Sequence, residues 1–329
     1  MEFQLPIRID SPTPLISYRD KILLTGSCFT EHIGNTLQEL KFDILQNPHG
    51  ILFDPASVAS SLASYIDNRQ YGPGDLVHLN ELWQSWQHHG VFSHIDKDAC
   101  LARINESQSR AHAFLKNAKW LIVTLGSAFS YRLTETDLPV ANCHRAPAQS
   151  FRKHLMSIDE IIEALDSCFS RLFRFNPGIQ VILTVSPVRH IRDGVIENNC
   201  SKARLIEAVH HLVAAYGAIR YFPAYELVID VLRDYRFYDI DMVHPNYQAT
   251  TFVLEKFAQH VIDEPSRGLM DEVRKIVIAR KHRPLQPSTL AHKRFLQEQE
   301  LRTRELGAKF PFLDLAAELE YFSAGSRAD

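Results

Sequence analysis

Residues capable of nucleophilic chemistry stand at an informative place in this chain. Leu24-Thr25-Gly26-Ser27-Cys28-Phe29-Thr30 lies where an apolar run ends and a helical repeat begins. Lys21-Ile22-Leu23-Leu24 has the look of a short buried strand. Phe29, Ile33, Leu37 and Leu40 then recur at helical spacing. Gly26 permits a tight turn there, and the next two residues present a hydroxyl and a thiol beside the free N–H groups of a new helix. Such a position favours negative charge and can lower a thiol pKa. Far along the chain, Asp241-Met242-Val243-His244-Pro245-Asn246 supplies a carboxylate and an imidazole three residues apart. In a hydrolytic mechanism His244 would accept the nucleophile's proton and Asp241 would fix the imidazole tautomer. Pro245 biases His244 away from helical geometry and can open the helix that follows. Cys28 is the first choice of nucleophile, because a thiol at a helix N-terminus needs little further activation. Ser27 is its rival.

Other polar residues follow apolar runs. Trp120 to Leu125 reads as a strand ending at Gly126 and Ser127, and Gln180 to Val185 as another, followed by Ser186-Pro187-Val188-Arg189-His190. Arg189 and His190 suit either an anionic part of a substrate or an ion pair with a neighbouring loop. Gly50, in the turn Asn47-Pro48-His49-Gly50, could let backbone approach a ligand closely. Oxyanion donors are expected from the N–H groups of Cys28 and Gly50 and from the side chain of Asn142. His78, His88, His89 and His94 fit no zinc spacing, so no metal is expected. Phosphate-binding glycine loops are absent, and no cofactor is expected.

Strand and helix signals alternate as far as residue 263. Asp54-Pro55 marks a helix start and Ser157-Ile158-Asp159-Glu160 has capping-box spacing. Residues 70–96 read as an irregular aromatic insertion with a possible hairpin, 98–117 as a helix, and about 201–216 as another helix. The alternation predicts an α/β fold with a mainly parallel sheet covered on both faces, whose site gathers at the C-terminal strand ends. Residues 264–329 differ in being helical and rich in basic side chains between Arg274 and Arg304. The division expected is therefore 1–263 and 264–329, the second part being either a solvated appendage or a surface for an acidic partner or lipid headgroups.

Six motifs in order give the chain a family likeness: Gly26-Ser27-Cys28-Phe29-Thr30, Asn47-Pro48-x-Gly50, Leu125-Gly126-Ser127-Ala128, Val140-Ala141-Asn142-Cys143-His144, Ser186-Pro187-Val188-Arg189-His190 and Asp241-x-Val243-His244-Pro245. Across about residues 5–262 the chain resembles the GSCFA family, with Thr30 in place of the final alanine of the name motif. That family is similar to SGNH or GDSL-type hydrolases. The resemblance implies a flavodoxin-like three-layer α/β/α sandwich and action on an ester or thioester. Relative to the GDSL pattern, Cys28 takes the nucleophile's position and Ser27 that of the aspartate. Ala128 stands where the block asparagine would be, and Asn142 could supply that amide from the following loop. The alternative is a non-catalytic carbohydrate- or acyl-binding protein on a hydrolase fold.

Composition sets outer bounds. In 329 residues, 36 basic against 39 acidic side chains give a net charge of −3, which carries no nucleic-acid-binding character. No apolar run reaches the ~18 residues of a membrane span. The first residues lack a leader's basic and apolar blocks. Five scattered cysteines without a C-x-x-C pair read as reduced thiols, and the expected location is cytoplasmic. The expected partner is a small-molecule or carbohydrate-linked ester. The sequence does not fix an oligomeric state.

Overall fold

A computed structural model describes residues 5–327. Five short segments build the central sheet: β1 (Lys21–Gly26), β2 (Asp43–Gln46), β5 (Trp120–Leu125), β9 (Gln180–Val185) and β10 (Ile219–Tyr221). Between and after them run α1 (Cys28–Glu39), α2 (Pro55–Asp67), the hairpin β3 (Val77–Leu79) and β4 (Leu82–Gln84), and α3 (Lys97–Asn117). Next come β6 (Phe129–Leu133), β7 (Pro139–Val140), β8 (Phe151–Leu155), α4 (Ile158–Phe175), α5 (Val195–Ala215) and α6 (Ala224–Glu226). The chain closes with α7 (Tyr247–Val261), α8 (Glu264–Lys281), α9 (Leu290–Lys309) and α10 (Ala316–Arg327).

Sheet order is β10-β9-β5-β1-β2, and every pairing within it is parallel. Ile22 aligns with Trp120 and Gly26 with Thr124, so β1 and β5 end side by side. Counting only these five strands, the order is that of a doubly wound flavodoxin-like sheet. The direction in which successive strands are added reverses between β1 and β5, where crevices form at the strand C-termini. Alternation sends Ile22 and Leu24 to one face and Leu23 to the other. The first face packs with Trp120, Ile122 and Ile182 against α1, α7 and α8. The second packs with Leu121, Val123 and Leu183 against α2, α3, α4 and α5. The result is a three-layer α/β/α sandwich.

Asp54 and Ser157 cap α2 and α4 as their spacing implies, and Ser157 with Glu160 completes the capping box. Two departures matter for the site. Helix α5 starts at Val195 after Gly194, two turns before the expected start, because its first turns are polar or exposed and only Leu205 begins the apolar stripe. The segment after β5 forms a small antiparallel sheet, β7-β6-β8, whose β6 side chains are all half-buried and so lack a period of two.

Residues 264–327 are helical and packed on the sandwich. Leu269, Met270 and Val273 of α8 join the first core, as do Leu313 and Leu315. Glu318 of α10 is 2% exposed and pairs with Lys41 at 2.9 Å and Arg280 at 2.8 Å. Burial pushes its carboxyl up, but the hydrogen bonds and charges of Lys41 and Arg280 outweigh this and hold it below the ordinary glutamate range. Glu318→Ala would leave two cations without their buried partner and is expected to cost about 3 kcal/mol in denaturant unfolding. A change below about 1 kcal/mol would mean this link does not hold the C-terminal helices down.

Candidate active site at the strand ends

Gly26 ends β1 with φ +137°, and a Cβ there would stand 2.1 Å from the Thr124 carbonyl oxygen. Its N–H donates to Asn47 Oδ1 at 3.0 Å, and the next N–H, of Ser27, donates to Thr124 O at 3.0 Å. The turn is thus sewn to β5 before α1 begins. Ser27 occupies the N-cap of α1, yet its hydroxyl makes no capping bond. The residue is 0% exposed and Oγ is buried without a partner. Gly126 faces it across the strand ends. A Cβ on Gly126 would meet Ser27 Cβ at 3.1 Å, Phe53 Cδ1 at 3.3 Å and His190 Nε2 at 3.4 Å.

Cys28 is the first residue of α1 and is half-buried. Burial, and then the carboxylate of Glu31, push its thiol up. The backbone N–H groups of Cys28 and Phe29 and the charge of Lys202 pull the other way without overcoming burial. Lys202 itself is buried in α5, with Nζ 2.6 Å from Gly126 O and 2.6 Å from Ser186 O. Burial draws its ammonium down to about 7, against the influence of Cys28.

Asp241 and His244 form a tight pair. Nδ1 of His244 lies 2.6 Å from Asp241 Oδ2, while Oδ1 accepts the N–H groups of Val243 at 2.9 Å and His244 at 3.0 Å. The His244 side chain first, and those N–H groups next, hold Asp241 down at about 2. A charged Asp241 fixes the Nδ1–H tautomer and leaves Nε2 as the basic nitrogen. Arg189 pins the loop: its N–H donates to Val243 O at 3.2 Å, its guanidinium to Met242 O at 3.2 Å, and it lies 4.1 Å over the Tyr238 ring. These contacts join Arg189 to a neighbouring loop through carbonyl oxygens and an aromatic ring rather than through an ion pair.

His190 lies between the two halves. Its N–H donates to Asn198 Oδ1 at 2.9 Å, and its Nε2 is buried without a partner. Burial first, then the charges of Lys202 and His244, draw it down to about 4, so the ring is neutral at neutral pH. No hydrogen bond joins His244 to Ser27 or Cys28 among the described residues.

Several expected donors are already engaged. Gly50 N–H donates to Asn47 O at 2.7 Å, and the glycine is required there because φ is +77° and His89 Cβ would stand 2.2 Å from its Cβ. Gly126 and Ser127 both donate N–H to Phe53 O, at 2.8 and 3.0 Å. Ser127 Oγ accepts from Phe129 N–H and faces Ser201 Oγ at 3.4 Å. Asn142 is held through its acceptor, Oδ1 taking the His144 N–H at 2.9 Å, a bond that does not use its amide NH2. At the start of α1 the backbone N–H groups of Cys28 and Phe29 lie beside the Cys28 sulfur. Sequence reasoning missed Lys202, Ser201 and Asn198. They lie on the early turns of α5, where only a lysine at a buried position would have signalled them.

The aromatic insertion builds a separate buried cluster. His49 Nε2 lies 2.9 Å from Gln108 Oε1, His88 Nδ1 lies 2.9 Å from Ser85 Oγ, and the two rings are tilted by 49° with centroids 4.1 Å apart. Burial draws His49 down to about 4 and His88 well below its usual value. Such histidines protonate first in the unfolded chain, so stability falls as pH drops from about 6.5 toward about 4. His49 alone should remove roughly 3 kcal/mol over that window. Denaturant titrations across it should show the loss in the wild type and in a variant at exposed His78, His78→Gln. A flat profile would mean the pair is not held neutral. Among the described residues no cluster of three or more His, Cys, Asp or Glu side chains could hold a metal, and no helix is long and apolar enough to cross a membrane.

Residues 21–257, which hold every group described at the strand ends, match the family model described as the GSCFA family. The chain belongs to the GSCFA family. Residues 273–327 match a second model, described as the GSCFA domain protein, C-terminal domain. Comparison with curated proteins finds no match. Among solved structures, one similar chain is an acetyl xylan esterase (Est2A) from the rumen bacterium Butyrivibrio proteoclasticus, at 12% identity and a TM-score of 0.33. That likeness covers 78% of this chain and 64% of the esterase.

Proposed function

We propose that this protein cleaves or transfers an acyl group from an ester or thioester, with Cys28 as nucleophile, His244 as base and Asp241 as its orienting carboxylate. One observation carries the reading: a charge-fixed Asp241–His244 pair is sewn by Arg189 to the end of β9, on the same sheet edge as the thiol that opens α1. This residue pattern is what reading the motifs as those of an SGNH-type hydrolase leads one to look for. Cys28 is preferred to Ser27 because a nucleophile must meet its substrate, and Ser27 Oγ is sealed from solvent.

Motion of the exposed His244 loop would bring Nε2 to the thiol. His244 then takes the Sγ proton, and the thiolate attacks the acyl carbonyl. A C–S bond forms and the carbonyl electron pair moves to oxygen, held by the N–H groups of α1. Collapse of that oxyanion breaks the bond to the leaving group, which receives the proton from His244. Water or an acceptor hydroxyl next gives His244 a proton, attacks the thioester and releases Cys28. We assign this chemistry to residues 1–263 and treat 264–329 as a helical extension, a division supported by the two separate family matches. The substrate class is a small or carbohydrate-linked ester.

Asp241→Asn tests the base. It keeps the shape of the pair but reverses the tautomer preference, and is expected to lower the hydrolysis rate of p-nitrophenyl acetate by about 10³ or more. An unchanged rate would remove the pair from the mechanism. A second reading, a non-catalytic acyl- or carbohydrate-binding protein, is favoured by the burial that pushes the Cys28 thiol up and by the lack of a bond from His244 to it among the described residues. On that reading no acyl group ever becomes attached to the chain.

A further inference from the structure

We propose that the cleft between α1, α7 and α8 binds the alcohol part of the ester, and that this part is a neutral oligosaccharide chain. The inference rests on the acyl-transfer reading and adds a place and a chemistry for the half of the substrate that does not react. The cleft has a volume of about 660 Å³, within the range of small-molecule sites. Two of its three walls begin at the reacting groups. On α1, His32, Thr36 and Glu39 line it, and His32 stands four residues after Cys28, on the same helix face and one turn from the thiol. On α7 the lining stripe of Tyr247, Thr251, Leu254 and Ala258 starts three residues after His244, just beyond the Asn246 cap. A chain lying in the cleft thus has one end beside the two helix starts that carry the nucleophile and the base.

The lining selects among occupants. Glu39, Glu255 and Asp271 are balanced by Arg267, Arg274 and Lys281, so the formal charges of the cleft cancel. Asp271 already pairs with Arg274 at 3.0 Å, and Glu39 with Lys281 at 2.7 Å. An ionic ligand would have to compete with those pairs. An alkyl chain would take water from charged groups and give them nothing in return. It would also find little apolar surface, since Ile33, Leu254 and Met270 are each no more than 9% exposed. Sugar hydroxyls both donate and accept, so they suit carboxylates, cations and the hydroxyls of Thr36 and Thr251 alike. Tyr247 is 82% exposed at the end of the stripe nearest His244, and its ring offers an apolar face to the C–H side of a sugar.

Isothermal titration calorimetry of the full-length Cys28→Ala chain with cellohexaose, xylohexaose and mannohexaose tests this without turnover. At least one of these sugars is expected to bind at a single saturable site. In the same background Tyr247→Ala, at an exposed position, is expected to weaken that binding about tenfold. Thr251→Arg, which extends a long side chain into the cleft, is expected to abolish it. Octanoate and hexagalacturonate are the apolar and anionic controls, and neither is expected to bind there. Failure of all three neutral sugars to bind would overturn the proposal. So would sugar binding that survives both folded variants, or a control ligand whose binding Thr251→Arg removes. Sugar binding without acyl transfer by the wild type would sink the enzymatic reading and leave the cleft's role standing. Acyl transfer without sugar binding would sink this inference alone.

Discussion

Cys28→Ala is expected to lower the turnover of an activated thioester by at least about a thousandfold, the scale seen when a nucleophile is removed from a triad. Ser27→Ala is expected to retain most of the rate. The contrast follows from where the two side chains sit. Cys28 is half-buried at the mouth of α1, with two helix N–H groups and a lysine acting on its sulfur. Ser27 is 0% exposed, and its hydroxyl neither caps the helix nor meets any acceptor. Removing an unsatisfied buried hydroxyl forfeits little, so Ser27→Ala should be near neutral in stability or slightly stabilising. The reverse pattern, with Ser27→Ala inactive and Cys28→Ala active, would make the serine the nucleophile and require the site to open around it. Equal rates in both would end the covalent mechanism.

Gly26→Ala should have the largest effect on folding, a loss of more than about 4 kcal/mol in chemical denaturation. Its φ of +137° lies where L side chains are strained, and its Cβ would stand 2.1 Å from a backbone oxygen of the adjacent strand. Relief would require β1 and β5 to move apart at the point where the Ser27 N–H binds Thr124 O. Gly72→Ala is the matched control: nothing lies within 4 Å of that Cβ and φ is −115°. It should shift stability by no more than about 0.5 kcal/mol. A mild Gly26→Ala variant would show that the strand end is more pliant than its bonding suggests, and would weaken the case for a preset site.

Much of this architecture could be read before any coordinates. Each of β1, β5 and β9 announced itself as a bounded apolar run, because a strand covered on both faces has no polar side to show. The caps at Asp54 and Ser157 were legible because capping depends on local chemistry. The pairing of Asp241 with His244 was legible because three residues separate them. What escaped depends on distant contacts. The early turns of α5 carry no apolar stripe, so Lys202 could not be placed under Gly126. Arg189 gave no sign that it would clamp the His244 loop, since its partners are carbonyls more than fifty residues away. Gly50 was foreseen as a close approach, but of the neighbouring His89 loop, and its N–H is held within its own turn.

The most direct measurement is an acid-quenched reaction with p-nitrophenyl acetate followed by peptide mapping of the modified chain. The mechanism requires one acetyl group on Cys28, accumulating in the first turnover and lost on standing with an acceptor. An acetyl group confined to Ser27, or a chain that hydrolyses the ester while never carrying one, would contradict it.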